Sequence, residues 1–290
     1  MSTGDLAVEA GARALKSAGE STVDAVIVAT TSPDRLCPAV APEVAYRLGL
    51  GTVPAFDLTS ACSGFLYGLA TTVGLISSGT ADRALFIGAE AFTTLVNQDD
   101  RATAPIFGDG AGAVVLSRAR PGDPGAIGAF DLGSDGERAD LLAIPAGGSR
   151  QRSAHGLGLS TVAPSEWYLH MEGKLLFKHA VERMTSSAAA ALDRAGWSVQ
   201  DVDWFVGHQA NARIVRDVAD KLELAADRVA INIGRVGNTL AASVPILLTE
   251  LAADGRLKAG HRVLISAFGA GLSWGSTVLT WPELTVEAID

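Results

Sequence analysis

The chain of 290 residues has only two cysteines, Cys37 and Cys62, with no CxxC pair and no HExxH stretch. A disulfide framework and a zinc site of familiar spacing are therefore not expected, and no metal is. Positive charge is scarce, with 23 Lys and Arg against 32 Asp and Glu and a net charge of −9. Proteins that grip a nucleic-acid backbone draw their affinity from Lys and Arg, so no nucleic-acid partner is expected. An acidic partner would have to meet a local basic patch. The N-terminus has no basic segment followed by an apolar run and reads as an amphipathic helix rather than a signal peptide. A reducing, cytoplasmic setting suits such a chain. One run, Leu58 to Ala81, carries no charge and invites a membrane reading. It holds Thr, Ser and four Gly between strand-like runs, so it reads instead as a buried helix, and no membrane partner is expected.

What the chain does have is apolar bulk, 48% of residues against 19% charged, and 32 glycines, which suits parallel strands packed closely against helices. Helix and strand patterns alternate throughout, the mark of an α/β protein. Two stretches of that alternation resemble each other. Ala14-Leu-Lys-Ser-Ala-Gly19 precedes Val23-Asp-Ala-Val-Ile-Val, and Ala191-Leu-Asp-Arg-Ala-Gly196 precedes Val202-Asp-Trp-Phe-Val. Gly19 and Gly196 are suited to end their helices. Arg83-Ala-Leu-Phe-Ile pairs with Arg262-Val-Leu-Ile, and Phe107-Gly-Asp-Gly with Phe268-Gly-Ala-Gly, in the same order. The chain thus reads as a duplicated α/β unit, with halves 1–120 and 121–290 meeting where Pro121, Gly122, Pro124 and Gly125 make a turn-rich connection. Ala126 to Leu132 reads as a strand opening the second half, and the first half shows no counterpart before its first helix.

Three residues stand where chemistry gathers. Val53-Pro-Ala-Phe-Asp-Leu reads as a strand and Thr59-Ser-Ala as a sharp turn, which puts Cys62 at the start of the uncharged helix. Free N–H groups and the helix dipole favour thiolate there, although most lone cysteines are only packing residues. His208 follows the strand Trp204-Phe-Val-Gly and so stands at a strand's C-terminal end. A hydrogen-bonded core histidine is the plainer alternative. His155, His170, His179 and His261 fall in polar surroundings without an obvious partner. Asn238 follows Val229-Ala-Ile-Asn-Ile and could simply cap the next helix.

Two glycine-rich stretches mimic other functions. Gly108-Asp-Gly-Ala-Gly-Ala113 has dinucleotide-site spacing but runs into Val-Val-Leu, a strand pattern where a helix is required. Gly271-Leu-Ser-Trp-Gly275 has the hydrolase-elbow spacing, yet no histidine follows it. Both read as tight backbone turns, the second able to aim an N–H at a reacting carbonyl.

Together, Thr59-Ser-Ala-Cys62-Ser-Gly, Phe107-Gly-Asp-Gly-Ala-Gly-Ala113, His208-Gln-Ala-Asn211, Gly237-Asn-Thr-Leu-Ala-Ala-Ser243 and Phe268-Gly-Ala-Gly-Leu-Ser-Trp-Gly275 closely resemble the β-ketoacyl-acyl carrier protein (ACP) synthase III family. The resemblance implies a five-layered αβαβα thiolase-like fold and a homodimer. It implies that Cys62 takes an acyl group from acyl-CoA, with the N–H groups of Cys62 and Gly271 as oxyanion hole. His208 and Asn238 would then assist decarboxylation of malonyl-ACP, with no cofactor required. By the same resemblance Gly173, Phe177, Ala210 and Asn211 line the pantetheine tunnel, and Cys37 closes the partner's acyl pocket across the dimer. Lys178, Arg213, Arg216 and Lys221 would face ACP, although a solvated helix face explains Arg216 and Lys221 equally well.

The sequence departs from the family pattern in carrying Leu240 where a small Ser follows Asn-Thr. It also begins without the family's first strand, expected to be central, and without the Trp/Arg loop that grips the CoA adenine. Two other readings remain open: a starter-unit condensing enzyme or acyltransferase of a polyketide pathway, and a non-catalytic partner that binds acyl carriers.

Overall fold

The computed structural model describes residues 1–120, 122–155 and 162–286, without the side chains of 154 and 155. Pro121 and the side chain of His155 thus lie outside the described residues. The helices are α1 (Thr3–Ala18), α2 (Ala41–Arg47), α3 (Gly64–Ser77), α4 (Ser149–His155), α5 (Gly173–Ala195), α6 (Ala212–Lys221), α7 (Ile233–Val236) and α8 (Ser243–Ala253). The strands are β1 (Ala25–Ala29), β2 (Ala55–Leu58), β3 (Arg83–Glu90), β4 (Gly110–Ser117), β5 (Ile127–Ser134), β6 (Leu142–Ala143), β7 (His170–Met171), β8 (Trp204–Gly207), β9 (Arg262–Gly269) and β10 (Ser273–Thr280).

Two four-stranded sheets carry the fold, in the orders β2-β1-β3-β4 and β5-β10-β9-β8. In each, two neighbouring strands run parallel and the next is antiparallel: β1 and β3 then β4, β8 and β9 then β10. The core explains the layering. Phe65, Leu66 and Leu69 of α3 and Val244, Leu247 and Leu251 of α8 are sealed between the two sheets. Ala7 and Leu15 of α1 and Val44 of α2 cover the outer face of the first sheet, while α5 and α6 cover that of the second through Met184, Val215 and Val218. Five layers result, helix–sheet–helix–sheet–helix. The uncharged run resolves into α3, apolar because it is buried on both sides; among the described residues no helix is long and apolar enough to cross a membrane.

The duplication extends to hydrogen bonds. Asp24 accepts the Arg83 N–H at 2.9 Å and Asp203 accepts the Arg262 N–H at 2.8 Å, in matching corners of the two sheets. Gly19 and Gly196 both end their helices in the left-handed region, at φ 67°.

Two expectations need correction. The strand that opens the second half, β5, is not central: it pairs with β10 alone, at the edge of its sheet. Its internal counterpart would therefore lie beside β4, whose other side has no strand among the described residues. The stretch Gly108–Ala113 is not a tight turn either. From Gly110 it forms β4 itself, paired with β3, and its glycines let α8 come close: a Cβ at Gly112 would sit 2.8 Å from the Pro245 Cβ.

Candidate active site

A cavity of about 280 Å³ opens where the two halves meet, walled by Cys62, His208 and Asn238 together with largely apolar side chains. A larger groove of about 640 Å³ follows the connection between β4 and β5, but it contains no cysteine, histidine or paired carboxylates. The chemistry belongs to the smaller cavity.

Cys62 sits in a single 3₁₀ turn, Ala61–Ser63, that leads directly into α3. The turn is sharp enough to hold Ala61 at φ 44°, a costly conformation for a residue with a Cβ. The end of β9 presses against it: a Cβ on Gly269 would lie 2.8 Å from both the Cys62 Cβ and its N. Glycine is the residue that allows this approach, and it brings the second half's backbone against the nucleophile of the first.

His208 extends from β8 into the cavity and is buried, with its N–H donated to the Ser266 carbonyl at 2.8 Å. Its Nδ1 lies 2.9 Å from Ser243 Oγ, and its Nε2 has no hydrogen-bond partner in the protein. Burial drives the imidazole down to about 3, so at neutral pH it is uncharged.

Asn238 is fixed from three sides. Its backbone N–H donates to the Ile106 carbonyl at 2.8 Å, its carbonyl accepts the Gly108 N–H at 3.0 Å, and its Oδ1 accepts the Leu240 N–H at 2.9 Å. With Oδ1 engaged, the amide nitrogen is left for the cavity, and the side chain hydrogen-bonds the Cys62 sulfur. Through Oδ1 it also ties down the start of the 3₁₀ turn Leu240–Ala242 that runs into α8, so the capping role and the cavity role coexist.

The expectation of a ready thiolate is corrected. Burial pushes the Cys62 thiol up to about 12, and the nearby Glu90 carboxylate adds to the effect. The hydrogen bonds from Asn238 and from the Cys62 N–H act the other way, but desolvation outweighs them. The resting site holds a thiol beside a neutral imidazole.

Gly173, Phe177, Ala210 and Asn211 all line the cavity, as the resemblance implies. Lys178 on α5 and Arg213, Arg216 and Lys221 on α6 are exposed. The Arg213 guanidinium stacks over the Phe177 ring at 5.2 Å, which places a cation at the cavity wall. Cys37 is exposed and does not reach the cavity within one chain. Gly271 is exposed, with φ 138°, and does not line the cavity, whereas Gly269 and Ala270 do. The tight turn expected at this point is present. Among the described residues no cluster of His, Cys, Asp and Glu could hold a metal.

Three further residues shape the site. Ser243 orients His208 and also accepts the Gln209 N–H at 2.9 Å. Glu90, fully buried at the end of β3, accepts hydrogen bonds from the N–H groups of Thr31 and Ser32 and from the Ser32 hydroxyl at 2.6 Å. Thr31, thus held, lines the cavity with a hydroxyl that has no partner. A lone Glu closing the apolar run Ala84–Ala89 was the available signal for Glu90. Ser243 could not be tied to His208 across 35 residues without the fold.

A cysteine at a helix start, an imidazole nitrogen and an amide, converging between two repeated α/β halves, define a thiol-dependent acyl-transferring enzyme of thiolase-like fold. Comparison with known proteins narrows the class. Residues 56–136 match the family model for 3-oxoacyl-ACP synthase III, and residues 192–281 match the model for its C-terminal part. A protein named β-ketoacyl-ACP synthase III 5 from Streptomyces coelicolor is 56% identical over 284 residues, 98% of this chain and 84% of the relative. A β-ketoacyl-ACP synthase III of Pseudomonas aeruginosa PAO1 is 47% identical over 284 residues, again 98% of this chain and 84% of the relative. The crystal structure of 3-oxoacyl-ACP synthase III from that organism superposes with a TM-score of 0.91 at 46% identity, covering 98% of this chain and 85% of the other. The priming β-ketosynthase of the R1128 polyketide pathway gives a TM-score of 0.87 at 32% identity, with coverage of 97% and 82%. The chain belongs to the β-ketoacyl-ACP synthase III family, and it is an acyltransferase of the condensing type.

Proposed function

We propose that Cys62 takes an acyl group from acyl-CoA and that a malonyl group on ACP is then decarboxylated and joined to it, as in the first condensation of fatty acid synthesis. One observation carries this reading: Cys62, the unpartnered Nε2 of His208 and the side chain of Asn238 converge on a single apolar cavity. In the first half-reaction the Cys62 sulfur bonds to the thioester carbonyl carbon, the carbon–sulfur bond to CoA breaks, and the thiol proton leaves with the CoA sulfur. N–H groups of Cys62 and of the adjoining β9 end would hold the transient oxyanion. In the second, Nε2–H of His208 and the amide of Asn238 donate to the malonyl thioester oxygen. This stabilises the enolate as carbon dioxide departs, and its carbon attacks acyl-Cys62, giving a β-ketoacyl-ACP and a Cys62 thiolate that takes a proton from water to restore the thiol. A neutral imidazole suits this role, since its Nε2–H can donate a hydrogen bond yet is too weakly acidic to give its proton up to the enolate.

The exposed cations Lys178, Arg213, Arg216 and Lys221 supply a basic surface for an acidic carrier protein, which the chain's overall charge of −9 does not offer elsewhere by default. A homodimer is part of the proposal, supported by exposed Leu36 and Tyr46 beside the Cys37 loop, apolar side chains suited to a covered face. The reading needs no cofactor or metal, and free Cys37 and Cys62 suit a cytoplasmic setting. A starter-unit role in a polyketide pathway is the second reading, favoured by the likeness to the R1128 priming enzyme. Incubating the protein with acyl-CoA primers and malonyl-ACP, and weighing the ACP products, tests the proposal. A β-ketoacyl-ACP is expected; acyl transfer without carbon dioxide release, or none at all, contradicts it.

A further inference from the structure

Leu240 occupies a position that a leucine does not adopt without cost. Its φ is 46°, in the left-handed region, where a bulky apolar side chain is disfavoured and glycine or asparagine is usual. Its N–H orients Asn238 through Oδ1, a task any residue but proline could perform. The side chain must therefore justify the conformation. It is buried to 2% exposure, lines the cavity, and packs in one apolar cluster with Cys62, Phe92 and Val96. Phe177, Ala210 and Ile214, also in the lining, belong to a different cluster, built on α5 and α6. Cys62 thus shares its apolar surroundings with Leu240 and not with Phe177, the ring over which Arg213 stacks.

We infer that the Leu240 side chain is the wall that limits the length of the acyl group carried on Cys62; this rests on the acyl-transfer reading above. An acyl chain leaving the Cys62 sulfur enters the cluster that Leu240 fills, and truncating Leu240 to Ala removes three carbon atoms from it. The space opened is continuous with the cavity, because Leu240 is part of the cavity's own lining.

The test is the rate of Cys62 acylation, as kcat/KM, over straight-chain acyl-CoA primers for the wild type and for Leu240→Ala, Leu240→Gly and Leu240→Phe. One methylene in an apolar pocket changes kcat/KM by about 10- to 200-fold. Both truncations are expected to raise kcat/KM for primers about two or three carbons beyond the wild-type optimum, relative to that optimum, by about tenfold or more. Leu240→Phe is expected to move the optimum toward acetyl-CoA. Leu240→Gly suits the left-handed backbone, so its folding is less at risk than its loss of bulk implies. Should neither truncation fold, by thermal melt, Leu240→Phe decides alone, since bulk added to a limiting wall must shorten the accepted primer. Failure of every primer to acylate the wild type would sink the acyl-transfer reading itself. Normal acylation with one chain-length profile across all variants overturns the assignment of Leu240 and leaves that reading intact.

Discussion

Ser243 Oγ lies 2.9 Å from Nδ1 of His208 and, on its other side, accepts the backbone N–H of Gln209. With one lone pair engaged, the hydroxyl still has its proton to give to Nδ1, an arrangement that leaves the ring proton on Nε2, facing the cavity. Ser243→Ala should free the ring to take the other tautomer. Loss of an orienting hydrogen bond of this kind costs about 10- to 100-fold in activity. The loss is expected in malonyl-ACP decarboxylation, with Cys62 acylation little changed. Equal losses in both half-reactions would mark Ser243 as a merely structural group.

The thiol of Cys62, pushed up to about 12, fixes how the resting enzyme meets an alkylating agent. Only thiolate reacts, so the iodoacetamide rate at Cys62 should climb about tenfold per pH unit from pH 7 to pH 10 without reaching a plateau. Glu90 lies behind the site and its charge opposes thiolate formation. Glu90→Gln should therefore move the same profile toward lower pH. A wild-type plateau below pH 8 would show that the helix N-terminus outweighs burial after all.

In the proposed mechanism Cys62, His208 and Asn238 divide the work between two steps. His208→Ala and Asn238→Ala each remove one donor to a developing enolate, which typically costs about 100- to 1,000-fold. Acyl-enzyme formation should survive both changes, as followed by stopped labelling with acyl-CoA, while carbon dioxide release collapses. A variant that loses labelling and decarboxylation together would reassign its residue to the nucleophile's activation.

Arg213 stacks on Phe177 at the cavity wall and is exposed. Arg213→Glu reverses a charge that a carrier protein would meet and a free thioester would not. Its KM for malonyl-ACP should rise about tenfold or more, as expected for a like-charge contact at an interface, with the KM for acyl-CoA within about twofold. A parallel rise in both values would place Arg213 on the shared tunnel and not on a docking surface.

Much of this was legible in the sequence because the duplication writes it twice. The Asp24 and Asp203 corners, and the glycines that end α1 and α5, recur with one spacing, and a repeated signal survives the ambiguity of each copy. Cys62 and His208 were legible for a local reason, each standing at a strand or helix end. What the sequence hid was contact across the fold. Which strand is central depends on sheet order, so β5 was misplaced. The state of Cys62 depends on how deeply the closing of β9 over it excludes water, which no spacing reveals. That Gly271 stands outside the cavity lining while Gly269 and Ala270 are in it depends on how the end of β9 packs on Cys62, which the motif's outline does not reveal.

Intact-protein mass measurement after mixing with acyl-CoA alone tests the central claim most directly. The account predicts a single acyl adduct on the wild type, mapped to the peptide that carries Cys62, discharged when malonyl-ACP is added, and absent from Cys62→Ala. An adduct of equal yield on Cys62→Ala, or one on the wild type that malonyl-ACP leaves in place, would contradict it.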